Sequence, residues 1–182
     1  QGQSLLDLLD NFGCISPELL TEVVPQFLDA LEYAHAKGVI HRDIKPSNLM
    51  ITQEQVGKLV DFGISRMMAQ DSDNSIALAG TPSYMAPELL TGSPPSQQSD
   101  IFSFGVVLYQ AICGEPPFVA EQSHAILYKI MNEPELPLKE KVRWIPEQLA
   151  SVIHKCLQKQ PEKRYRQAAE LKKAFLEASP YK

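Results

Sequence analysis

Residues 100–113 are apolar around most of a helical circumference, and Gly114 follows them. A helix without a broad polar face must be covered on every side, so this stretch has to run through the middle of a domain. The 182 residues suffice to cover it. Of these, 44% are hydrophobic and 21% charged, the balance of an ordinary globular domain rather than a disordered or collagen-like chain. Most neighbouring signals are helical as well. Ser16, Pro17 and Glu18 make a helix start: a capping hydroxyl, a proline in the first turn and an acid. Leu20, Val23, Val24, Phe27, Leu28 and Leu31 follow at helical spacing, and Gly38 stands where a C-cap belongs. Further helices are expected over 4–9, 123–131, 146–157 and 167–177. Residues 49–51 and 58–60 read as two short strands with a polar turn between them. Residues 61–84 show no sustained period and read as a long loop, which inside a compact domain usually has a function. The expected fold is mainly α with one small β-hairpin.

Charge and cysteines narrow the function classes. A net charge of -5 weighs against nucleic-acid binding. Cys14, Cys113 and Cys156 are odd in number and form no C-x-x-C pair. They read as small core residues in a reduced, intracellular protein rather than as a metal site. His35, His124 and His154 show no ligand spacing. No apolar run is long enough to cross a bilayer, and no signal peptide opens the chain. The first residue is Gln1, so the start reads as internal to a longer protein.

The chemistry concentrates in three places. His41-Arg42-Asp43-Ile44-Lys45-Pro46-Ser47-Asn48 comes first, then Asp61-Phe62-Gly63, then Ala86-Pro87-Glu88. Asn48 lies just before the first expected strand and Asp61 just after the second. Antiparallel pairing brings those ends to one edge. An amide oxygen and a carboxylate then face one pocket, the hard donors that Mg²⁺ takes, with Asp43 one loop upstream. Any one of these residues alone reads more readily as a turn former, and the case rests on the whole ordered set.

The three motifs in this order resemble the protein kinase family, and the likeness runs from about residue 2 to about residue 173. The resemblance implies a kinase-like C-lobe, the larger helical lobe, over residues 1–178. Residues 179–182 then begin a tail or linker. It implies transfer of the ATP γ-phosphate to Ser or Thr hydroxyls of a protein substrate, with ATP and Mg²⁺ as cofactors. Asp43 matches the base, and Lys45 the lysine that steadies the phosphoryl group and binds nucleotide. Asn48 and Asp61 match the metal ligands, and Met50 the apolar floor under the adenine. His41 belongs to the same catalytic-loop motif. Gly63 gives the Asp-Phe-Gly turn its backbone freedom. A looser match sets Ser4 near the ribose.

Thr81, by the same likeness, bridges Asp43 and Lys45. Glu88 and Arg164 match a buried ion pair, and Asp100 the acid that accepts backbone N–H groups from the catalytic loop. Arg42 before Asp43 marks kinases switched by activation-loop phosphorylation, and Ser75 is the expected phosphosite. The family's Gly-rich loop, strand lysine and helix glutamate have no counterpart in these residues, which contain no G-x-G-x-x-G. The small N-lobe is therefore expected to be absent from this piece and supplied in cis, and the piece alone to be nearly inactive. The rival reading is a non-catalytic binding or regulatory fragment, against which intact Asp43, Asn48 and Asp61 argue. No nucleic acid or membrane span in this segment is implied. The expected location is cytoplasmic, with an anchor outside this segment left open.

Overall fold

The computed structural model describes residues 2–62 and 82–180. It opens with a strand, β1 (Gly2–Ser4), that runs directly into helix α1 (Leu5–Phe12). Ser4 is the hinge of this change. The Asp7 N–H donates to its hydroxyl (3.1 Å), and the Asp7 carboxylate accepts from both the Ser4 N–H (2.8 Å) and hydroxyl (2.7 Å). This reciprocal cap satisfies backbone donors that the first turn cannot pair internally. Those two bonds from Ser4 hold the Asp7 carboxyl below the usual carboxylate range.

Helix α2 (Pro17–Ala36) starts at Ser16, whose side chain accepts the Leu19 N–H. Its inner stripe of Leu20, Val23, Val24, Phe27, Leu28 and Leu31 is buried, and Gly38, at φ 75°, follows its C-terminal turn. Beyond it lie β2 (Leu49–Thr52) and β3 (Gly57–Leu59). Among the described residues the sheet has three antiparallel strands in the order β1-β2-β3, with Gln3 opposite Ile51 and Leu49 opposite Leu59. The expected hairpin thus gains a strand from the start of the chain. The β2–β3 turn is fixed to α2. The Gln26 side chain donates to the Gln55 carbonyl (3.0 Å) and accepts the Gly57 N–H (3.0 Å). A Cβ on Gly57 would stand 3.0 Å from the Phe27 ring, so glycine lets the turn settle there.

The remaining α-helices among the described residues are α3 (Pro87–Leu90), α4 (Gln97–Cys113), α5 (Ser123–Asn132), α6 (Leu138–Lys141), α7 (Glu147–Cys156) and α8 (Ala168–Ala178). Helix α4 is the centre, with Phe102, Phe104, Val106, Leu108 and Tyr109 all at most 1% exposed. It begins three residues before Asp100 because Ser96 and Ser99 cap each other reciprocally. Gly114, left-handed at φ 89°, ends it. Helix α7 packs on α4, and α8 packs on α2 and α7. After α8, Ser179 is buried and shares a 2.7 Å hydrogen bond with Thr21, so this residue lies against α2.

One glycine reports how closely α4 and α7 meet. A Cβ added to Gly105 would lie 2.5 Å from the Cβ of Cys156. In an open helix, Gly→Ala gains about 1 kcal/mol. Here the overlap dominates, and Gly105→Ala is expected to cost about 1–3 kcal/mol in urea unfolding. Cys156→Ala should not rescue it, because the blocking atom is the Cβ that alanine keeps.

Candidate active site

Asp100, 1% exposed in the first turns of α4, organises one side of the site. Its Oδ2 accepts the His41 N–H (2.8 Å) and the His35 Nε2–H (2.8 Å), and its Oδ1 accepts the Arg42 N–H (2.9 Å). Two successive N–H groups can converge on one carboxylate because Arg42 turns back at φ 69°. A non-glycine residue in that left-handed region costs about 1–3 kcal/mol, which the charge-assisted bonds offset. Among the described residues, the buried His35 Nδ1 has no hydrogen-bond partner.

The loop so anchored delivers Asp43, Lys45 and Asn48. Lys45 Nζ lies 2.8 Å from Asp43 Oδ2, with both side chains partly exposed. The Asn48 amide donates to the Asp43 carbonyl (2.8 Å) and to the same Oδ2 (3.1 Å). Its nitrogen committed, Asn48 offers the site its oxygen, which among the described residues takes only a long 3.4 Å contact from the Ser47 hydroxyl. The Val60 N–H donates to the Asn48 carbonyl (3.0 Å), extending the β2–β3 ladder by one pair. Asp61, the next residue, therefore emerges beside Asn48. It is exposed and left-handed at φ 55°. Leu49 and Ile51 of β2 are buried, so the pleat puts half-buried Met50 on the opposite face of the sheet. Ser4, opposite Met50, spends its hydroxyl on the α1 cap.

His41, fully buried, links these two stretches. Its Nε2 lies 3.1 Å from the Val60 carbonyl, which can only accept. The Asp43 N–H, which can only donate, points at Nδ1 (3.4 Å). The neutral Nε2–H tautomer satisfies both. Burial pushes the imidazole pKa below its ordinary value, outweighing the pull of the Asp100 and Asp43 carboxylates. The ring also rests 4.4 Å, centroid to centroid, from Phe62.

A second buried charge fixes the segment after residue 82. Arg164 meets Glu88 with two bonds, Nη1 to Oε1 (2.7 Å) and Nη2 to Oε2 (2.8 Å). Its remaining N–H groups donate to the carbonyls of Gln158, Gln98 and Lys159, so all five donors are satisfied. The guanidinium carbon lies 4.8 Å from the Phe102 ring centroid. Nearby, Ser103 donates to the Tyr84 carbonyl (2.7 Å), and the Tyr84 hydroxyl donates to Gln110 (2.7 Å).

Gly63, Ser75 and Thr81 lie outside the described residues. Sequence reasoning missed His35 as a partner of Asp100. The signal was a polar side chain on the apolar stripe of α2, one turn beyond Leu31, since a buried polar group needs a hydrogen bond. Among the described residues, no cluster of three or more His, Cys, Asp or Glu could hold a metal ion. Asn48 and Asp61 nonetheless fit Mg²⁺, which takes one or two protein oxygens and completes its shell with water and phosphate.

Residues 1–176 match the protein kinase domain family. The chain is 37% identical over 175 residues to serine/threonine-protein kinase PknB of Mycolicibacterium smegmatis, covering 94% of this chain and 28% of that protein. It is 36% identical to a probable serine/threonine-protein kinase PknB of Bifidobacterium longum, covering 97% of this chain and 26% of the relative. A probable serine/threonine-protein kinase of Clostridium acetobutylicum is 34% identical over 93% of this chain and 26% of its own length. The chain thus spans little more than a quarter of the relatives it matches.

Two outcomes test this geometry. Arg164→Met leaves the mostly buried Glu88 carboxylate without its partner and should cost about 3–5 kcal/mol in urea unfolding. Adding Glu88→Gln should recover part of that loss. For His41, the folded pKa lies below the unfolded value of about 6.5, so the unfolded chain binds more protons between the two. The contribution of His41 to stability is complete above pH ~6.5 and is lost as pH falls through the folded pKa. The urea midpoint should therefore drop as pH falls below about 6.5, and His41→Phe should flatten that slope.

Proposed function

The chain belongs to the protein kinase domain family, and on that premise we propose that it forms the catalytic C-lobe of a protein serine/threonine kinase. The observation that carries the reading is the cluster at the paired end of the hairpin. The Asp43 carboxylate is held by Lys45 and Asn48, and Asp61 is delivered from the facing strand. In the proposed reaction a Ser or Thr hydroxyl oxygen bonds to the γ-phosphorus of ATP as the bond to the β–γ bridging oxygen breaks and ADP leaves. Asp43 orients the hydroxyl and accepts its proton. Lys45, 2.8 Å from that carboxylate, steadies the transferring group. Mg²⁺ held by Asn48 and Asp61 would offset phosphate charge. Met50, on the sheet face away from the core, would lie under the adenine.

The wider assignments belong to the same proposal. These residues hold no Gly-rich phosphate loop, so transfer needs a small lobe acting in cis, and the isolated stretch transfers poorly. Thr81 would bridge Asp43 and Lys45, with Gly63 freeing the turn after Asp61. A phosphate on Ser75 would pair with Arg42 and order the loop. No helix among the described residues is long and apolar enough to cross a membrane. The proposed setting is the cytoplasm, where ATP and reduced thiols coexist.

The test uses the intact protein and a Ser/Thr peptide. Asp43→Asn should lower kcat roughly 10²–10⁴-fold while nucleotide affinity changes little. Asp61→Asn should instead abolish the Mg²⁺-dependent rate. Near-normal turnover of Asp43→Asn would remove the assignment.

A further inference from the structure

Three features of the junction between α1 and α4 coincide. Gly13 and Gly114, each left-handed, end the two helices beside Cys14 and Cys113. The Gly13 carbonyl oxygen would lie only 2.8 Å from a Cβ on Gly114, and the Ile15 N–H donates to the Ala111 carbonyl at 2.8 Å. The two backbones therefore touch on both sides of the cysteines. Closeness of that kind is what a disulfide needs, with its Cα separation of about 4.4–6.8 Å. Cys14 is exposed, Cys113 half-buried, and both are free thiols.

We propose that Cys14 and Cys113 are a redox pair, joined into an intrachain disulfide by exchange with a small-molecule disulfide such as oxidised glutathione. The exposed Cys14 thiolate attacks one sulfur of the oxidant. A Cys14 mixed disulfide forms and the first small thiolate leaves. Cys113 then loses its proton to solvent and attacks the Cys14 sulfur, expelling the second small thiolate. The protein gives up two electrons and two protons, and the oxidant becomes two thiols. Cys113 suits the resolving role. Burial raises its pKa and its thiol donates to the Glu115 carbonyl (3.2 Å), which slows attack on outside reagents, while the neighbouring mixed disulfide stays within reach. The bond would tie the end of α1 to the end of α4, the helix that carries Asp100. Cys156, 0% exposed, is a built-in unreactive control.

The experiment treats the intact protein with oxidised glutathione at pH 8 and maps its peptides without reduction. The expected product is one cross-linked peptide pair joining Cys14 to Cys113. It should revert with dithiothreitol, be absent from Cys14→Ser and from Cys113→Ser, and leave Cys156 a free thiol. Cys113→Ser should stop at the Cys14 glutathione adduct. If wild-type protein also stops there, with Cys113 still free, the pair does not exist.

Discussion

The Asp100 carboxylate is the interaction on which the site depends. It is withdrawn from water almost completely, yet it is surrounded by N–H donors from two chain segments and lies near the positive end of α4. Its charge holds the backbone of His41 and Arg42 in a turn that the chain would not choose alone, and the direction of Asp43 follows from that turn. The most buried helix of the domain thus sets the aim of the most exposed chemistry. Helix α4 is apolar nearly all round because it is a core element, and its one buried carboxylate sits where the loop needs an acceptor.

Arg164 plays a comparable part for the segment around Glu88. Its planar fork binds Glu88 and three carbonyls from two separate stretches, which lysine's single ammonium could not satisfy together. The segment around Glu88 is therefore held by a charge whose every donor is occupied. His41 does quieter work between the halves of the site. Neutral and buried, it meets the Val60 carbonyl on one side and the Asp43 N–H on the other, so one ring joins the strand end to the loop.

Much of this was legible in the sequence where the signal is local. Ser16-Pro17 and Gly38 bracket α2, Gly114 ends α4, and the all-round apolar stretch identifies the central helix. Signals that need a distant partner were not legible. Strand β1 has three residues and exists only because β2 lies beside it, so no periodicity announces it. The start of α4 was read late because its cap pairs two serines instead of a serine with an acid. For the site, the order of motifs brought out Asp43, Asn48 and Asp61, and the strand signals explained why Asn48 pairs with Val60, the neighbour of Asp61. The role of His35 was hidden because its partner lies 65 residues further along the chain.

The anchoring of the β2–β3 turn on Gln26 has a consequence for how such a domain tolerates change over evolutionary time. Asn48 and Asp61 lie at the same open end of one antiparallel ladder, so their relative position is fixed by strand register. Lengthening the exposed turn between Thr52 and Gln55 leaves both the Gln26 grip on Gln55 and Gly57 and the strand register in place. Deleting one residue from either strand would turn every following side chain to the other face. Length variation among related chains should therefore gather at the tip, while the strands keep their count.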